Sequence, residues 1–265
     1  MIKRAVLLVA ALALAGCDGG ANDEEALDRS AAPSPLRSGL SFLTEDTQAL
    51  QADAFANPGH LWVDRGRNLF ASAKDSSPAC SLCHGDDGAQ LVGASASYPA
   101  WDESSGELLN LEGRINACRQ RHQSQPPLDY ESEDLLALSA FVGHLSQGTE
   151  ISVEVAAETQ NAYDLGEDYF FTRRGQFNLS CAQCHNDNWG QQLRGDTISQ
   201  GHGSGFPAYR LEWQTLGSLH RRFQDCDQGV RAEPMEMGSD IYIALEHYLA
   251  ARASGLEVET PSVRR

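Results

Sequence analysis

Helical periodicity stands out at 132–148, SEDLLALSAFVGHLSQG, where Leu135, Leu138, Val142 and Leu145 fall on one face. The stretch 239–255, SDIYIALEHYLAARASG, repeats it with Ile241, Leu245 and Leu249. Each ends in a glycine, Gly148 or Gly255, placed to cap a helix C-terminus. A different pattern opens the chain: Lys3 and Arg4 precede the unbroken apolar run AVLLVAALALA (5–15), which is short for a membrane span and shaped like a signal peptide over 1–16. It closes on Leu14-Ala15-Gly16-Cys17, a lipobox-like sequence that predicts acylation of Cys17; the plainer alternative is a cleaved signal with Cys17 incidental. Residues 17–40 are polar with Pro and Gly, and read as a flexible tether. The alternation in ISVEV (151–155) allows a short hairpin at 149–156, at the start of an expected linker over 149–160.

The two periodic helices belong to a longer internal repeat. Gly66-Arg67-Asn68-Leu69-Phe70 corresponds to Gly166-Glu167-Asp168-Tyr169-Phe170, and Tyr98-Pro99-Ala100-Trp101 to Phe206-Pro207-Ala208-Tyr209. Arg114-Ile115-Asn116-Ala117-Cys118 corresponds to Arg222-Phe223-Gln224-Asp225-Cys226. Inside the repeat, CxxCH occurs twice, as Cys80-Ser81-Leu82-Cys83-His84 and Cys181-Ala182-Gln183-Cys184-His185. Cysteines three apart lie on one side of a helical turn, where both can add to the vinyl groups of one porphyrin; the next histidine then comes under the iron. The fold predicted is mainly α, with two tandem cytochrome c-like domains at 41–150 and 151–265, each holding one covalent haem and little β structure.

Composition adds bounds. Apolar residues make up 41% of the chain, enough for packed cores, and the formal charge is -17. Such an acidic chain is a poor nucleic-acid binder, and an anionic substrate would need a local cluster of arginines.

Of the seven cysteines, Cys17 is assigned to the lipid and Cys80, Cys83, Cys181 and Cys184 to thioethers. Cys118 and Cys226 remain, at equivalent points of the repeat. A disulfide between them is one reading for an oxidising compartment. Axial ligation is the other, and the repeat favours it, because equivalent sites of two haem domains do not meet. Methionine, the usual sixth ligand of soluble cytochromes c, is absent from the first half once Met1 leaves with the signal. His122, His144, His202, His220 and His247 do not match between halves. The predicted pairs are therefore His84 with Cys118 and His185 with Cys226, with Met235 or Met237 as the alternative in the second half. Arg222, four residues before Cys226, shares a helical face with it, and a guanidinium there favours the thiolate. Arg114 and Cys118 have the same spacing, so pairing with a haem propionate is an equal reading of Arg222. Arg231 is read either as lining the same pocket or as pairing with Glu233 at the surface. His60, His122 and His220 are read as surface or packing residues.

With VRAEP (230–234) and the terminal PSVRR (261–265), this arrangement over about residues 40–265 resembles the SoxA family of dihaem cytochromes. The resemblance implies a periplasmic L-cysteine S-thiosulfotransferase that joins thiosulfate oxidatively to a cysteine of the SoxY carrier, held by SoxZ. It implies a SoxX cytochrome partner and a downstream cytochrome as electron acceptor. It assigns Cys226 as ligand and persulfide-bearing catalytic residue, with Arg222 binding the substrate anion. A lipobox is less typical of that family. Competing expectations are a dihaem electron carrier without cysteine chemistry and a dihaem peroxidase; the missing first-half methionine weighs against the peroxidase.

Overall fold

The structure, a computed structural model, describes residues 33–73 and 77–265. The signal peptide expected over 1–16 and the acylation expected at Cys17 lie outside the described residues. No described helix is long and apolar enough to cross a membrane.

The first half runs α1 (Glu45–Ala52), α2 (His60–Ala71), the short α3 (Ser81–His84), the hairpin β1 (Ala100–Asp102) and β2 (Glu107–Leu109), α4 (Leu111–Gln123) and α5 (Glu133–Leu145). The second half repeats this plan: α6 (Gln160–Phe171), α7 (Cys181–His185), β3 (Gln192–Leu193), β4 (Asp196–Thr197), β5 (Ala208–Arg210), β6 (Thr215–Gly217), α8 (Leu219–Gly229) and α9 (Asp240–Arg252). It ends in β7 (Ser262–Arg264), parallel to β5.

Helix α2 crosses α5, and α6 crosses α9. Both crossings turn on a glycine of the repeat. A Cβ at Gly66 would stand 2.0 Å from the Ala137 carbonyl oxygen, and one at Gly166 would stand 2.1 Å from that of Ala244. Around these contacts the apolar faces predicted from periodicity are buried: Phe70, Leu138 and Phe141 in one core, Phe170, Leu245 and Leu249 in the other.

The hairpins lead straight into the helices that carry Cys118 and Cys226. Asn110 Oδ1 accepts from the Gly113 N–H at 2.9 Å to start α4, and Ser218 Oγ accepts from the Arg221 N–H at 3.1 Å to start α8. β1 and β2 pair with Asp102 opposite Glu107, and β5 and β6 with Arg210 opposite Thr215. The two hairpins therefore have the same length and register.

Two expectations change. The hairpin expected at 149–156 does not form. Residues 149–151 pair instead with the distant segment 255–258: the Val258 N–H donates to Thr149 O at 3.0 Å and the Ile151 N–H to Leu256 O at 2.8 Å. The alternation in ISVEV reports burial of Ile151 and Val153 against Ala253 and Val258. The tether expected to run to residue 40 is also bound at its end. The Arg37 N–H donates to Gln200 Oε1 at 2.8 Å, Gln200 Nε2 donates to Pro35 O at 2.9 Å, and Phe42 packs edge-on to Trp189. Both pairings are long-range, so local sequence pattern carries no sign of them.

The halves are packed together. Leu216 of β6 is buried in the first core, Asn110 Nδ2 donates to Glu246 at 3.0 Å, and Asn57 Nδ2 donates to Pro261 O at 2.8 Å.

Candidate active site

In the second half α7 opens with a capping box. Ser180 Oγ accepts from the Gln183 N–H, and Gln183 Oε1 accepts from the Ser180 N–H at 2.9 Å. This fixes the turn that carries Cys181, Cys184 and His185. His185 Nδ1 lies 2.7 Å from Ser199 O, so this nitrogen carries the proton and Nε2 is left as a donor atom for a metal. Burial lowers the His185 pKa to about 4, which keeps the ring neutral, as ligation requires. Gly201, at φ +78°, presses on the ring from behind; a Cβ there would meet His185 Cγ at 2.8 Å. Arg252 Nη1 donates to Gln200 O at 2.9 Å and holds this 199–201 loop against the end of α9.

Cys226 sits on α8 facing this turn. After burial, it is the largest influence raising the thiol pKa values of Cys181 and Cys184. It is also the first influence on Arg222, whose pKa it raises. The helix is anchored by the next residue, Asp227, whose Oδ2 accepts from Tyr169 Oη and Tyr242 Oη, each at 2.7 Å. Cys181, Cys184, His185, Arg222 and Cys226 thus converge on one site.

The first half assembles the same set. Cys118 bears on Cys80, and Arg114 lowers the His84 pKa after burial. The six described cysteines are all unbridged, so Cys118 and Cys226 form no disulfide. Paired cysteines at thioether spacing, a neutral histidine with its second nitrogen tied down and a glycine-cleared wall fit a c-type haem in the second half. The first half has the same donor set around α3, with Cys83 exposed.

The surroundings of the two arginines differ. Arg114 Nη1 donates to buried Asp102 at 2.7 Å, and Arg121 grips the same carboxylate through both terminal nitrogens. Arg121, aided by Ser105, holds the Asp102 carboxyl well below the usual carboxylate range. Across 98–118 and 206–226 the repeat runs without a gap, and the position of Asp102 is taken by Arg210; that of Arg121 is taken by Gly229. Among the described residues Arg222 therefore has no buried carboxylate paired with it; its ion-pair partner there is Asp225, at 4.0 Å and partly exposed.

Other candidates lie elsewhere. Arg231 stacks over Phe177 at 4.8 Å and donates to Gln176 Oε1 at 3.2 Å. Met235 packs against the aromatic core of the second half. His220 is a buried packing residue, stacked on Tyr130 at 5.6 Å. Reading the sequence missed Asp102, Arg210, Arg252 and Ser199. Only the exchange of Asp102 for Arg210 was visible there, one position beyond the quoted Tyr-Pro-Ala-Trp match.

Two crossed-helix units, each with a CxxCH turn facing a cysteine-bearing helix, define a c-type cytochrome built by tandem repetition. The SoxA/TsdA cytochrome c domain matches twice, at residues 65–151 and 165–258, and the chain belongs to this family. It is 40% identical to the L-cysteine S-thiosulfotransferase subunit SoxA of Rhodovulum sulfidophilum, over 86% of this chain and 80% of that one. It is 37% identical to that of Pseudaminobacter salicylatoxidans, over 92% and 88%. The crystal structure of SoxXA from P. pantotrophus superposes with a TM-score of 0.83 at 34% identity, covering 87% of each chain.

Proposed function

We propose that this chain is the catalytic subunit of an L-cysteine S-thiosulfotransferase, working with a SoxX-type cytochrome and a SoxYZ-type carrier in the periplasm. Cys80, Cys83 and His84, together with Cys118, would hold one c-type haem, and Cys181, Cys184 and His185, together with Cys226, would hold a second. The observation that carries the reading is the meeting of Cys226 with Arg222 against the CxxCH turn of the second half, in a chain up to 40% identical to named SoxA subunits. Acylation at Cys17 would add a membrane anchor.

The reaction joins the sulfane sulfur of thiosulfate to the carrier cysteine. One S–S bond forms, the carrier thiol gives up its proton, and two electrons leave: RSH + S2O3(2−) → R–S–S–SO3(−) + H(+) + 2e(−). The bound haem supplies a one-electron acceptor at each redox step. The residues of the chain do the rest. Arg222 binds the substrate anion and holds positive charge beside the Cys226 sulfur. Cys226 carries an extra sulfur as a persulfide between turnovers, acquired by taking the sulfane sulfur of a thiosulfate with sulfite as the leaving group: RS(−) + S2O3(2−) → RSS(−) + SO3(2−). Asp227, tied to Tyr169 and Tyr242, keeps α8 and therefore Cys226 in register with α7.

The test combines the purified haem-loaded complex, carrier protein and thiosulfate. The expected result is haem reduction that depends on both additions, and a carrier whose mass rises by one thiosulfonate group. Haem reduction with an unmodified carrier would instead establish an electron carrier without cysteine chemistry.

A further inference from the structure

We propose that Arg210 is a second anion-binding guanidinium of the Cys226 site, gripping the sulfonate end of thiosulfate together with Arg222. The inference rests on the functional reading above and names a positioning residue that the sequence reading did not contain.

Arg210 ends β5, in the strand position that Asp102 occupies at the end of β1. Its side chain is only 8% exposed. Burying a guanidinium is costly unless its N–H groups are satisfied. Here Nη2 has one carboxylate, Glu212 at 3.2 Å, and Glu212 is 70% exposed and so largely screened by water. The buried Nε–H has no partner. Its other contact is aromatic: the Arg210 guanidinium lies over the Trp213 ring at 4.8 Å, and that of Arg221 lies over the same ring at 4.2 Å. Trp213 Nε1 donates to Asp225 Oδ2 at 3.0 Å, and Asp225 in turn faces Arg222. Arg210, Trp213, Asp225 and Arg222 therefore form one connected wall. Burial lowers the Arg210 pKa and the neighbouring Arg222 lowers it further, which places the two like charges close enough to interact.

Two arginines held together with an unused N–H donor are a site for an anion with several oxygens. A planar fork matches the oxygens of a sulfonate and orients the far end of a small molecule. With the sulfonate on Arg210 and Arg222, the sulfane sulfur is left toward Cys226. In the first half the same position holds Asp102, which fills Arg114 with negative charge and excludes an anion. An anionic propionate of the haem offers the same chemistry, so the test must separate the two sources.

The experiment compares wild type, R210Q and R210K as oxidised, haem-loaded complexes. Thiosulfate is titrated calorimetrically without carrier, turnover is measured with carrier, and the midpoint potential and absorption spectrum of the second haem are recorded. The expected result for R210Q is thiosulfate binding weaker by about tenfold, KM raised by a similar factor and kcat held within about threefold, with potential and spectrum unchanged. R210K should fall between the two, because lysine keeps the charge and loses the fork. Unchanged binding and KM with a shifted potential would assign Arg210 to the propionate and overturn the proposal. If R210Q fails to fold, R210K decides by the same readouts. An unmodified carrier in the wild type, with thiosulfate binding still dependent on Arg210, would remove the functional reading and leave the anion site standing.

Discussion

The two halves share a fold, a haem-attachment turn and an Arg-x-x-x-Cys helix, yet they handle positive charge in opposite ways. In the first, the buried Asp102 carboxylate binds two partly exposed guanidiniums, those of Arg114 and Arg121. In the second, the same strand position carries Arg210, Gly229 stands where Arg121 would be, and Arg222 is held by only a loose pair with Asp225. The CxxCH and Arg-x-x-x-Cys motifs are thus duplicated, while among the described residues a buried carboxylate stands beside Arg114 and not beside Arg222. A net charge of -17 disfavours an anion such as thiosulfate, so a local pair of guanidiniums held only by partly or largely exposed carboxylates has a large effect on where the substrate goes.

The comparison can be broken most strongly at the arginines. R222A should lower kcat/KM for thiosulfate by about 100-fold, because it removes a charged donor to the reacting anion. R114A should leave kcat/KM within about threefold and lower thermal stability, since it leaves buried Asp102 with one guanidinium fewer. Steady-state kinetics and thermal unfolding of both variants check this. Equal kinetic losses would mean that the halves share one role.

The crossings test the structural symmetry. G66A and G166A each push a methyl group against a carbonyl at about van der Waals overlap, and each should cost about 2–3 kcal/mol in denaturant unfolding. Similar losses would show that the halves rest on equivalent contacts.

A pH-dependent effect probes the seam. Burial, reinforced by Glu246, pushes the Glu112 carboxyl up to about 7 from an ordinary 4.5. Because the folded pKa is raised, the folded chain holds a proton that the unfolded chain has released between these values. Stability from this group is complete at low pH and is lost as pH rises through the window, by up to about 1.4 kcal/mol per pH unit. E112Q should flatten that slope in unfolding curves taken between pH 5 and 7. An unchanged slope would remove Glu112 as its source.

Much of this was legible in the sequence where chemistry imposes spacing. Cys80 and Cys83, like Cys181 and Cys184, sit three apart, the spacing that attachment of a c-type haem requires, and the repeat singles out Cys118 and Cys226. Periodicity located α5 and α9, although both are buried nearly all round, over 135–143 in α5 and at all of 242–249 but Glu246 in α9. What remained hidden was non-local. Nothing near ISVEV says that it pairs with 255–258, and nothing near Arg37 says that Gln200 holds it. The role of Arg210 sits between these cases. Its exchange with Asp102 is written in the repeat, but its meaning depends on a hairpin that turns the strand end toward the arginine of the following helix.

The most direct test of the central claim is to make C226A and C118A separately, load both with haem, and measure thiosulfate-dependent modification of the carrier. The account predicts that C226A loses turnover by about 10³-fold or more, while C118A stays within a few-fold of wild type with only the spectrum of its first haem altered. Retained turnover in C226A, or equal loss in both, would contradict it.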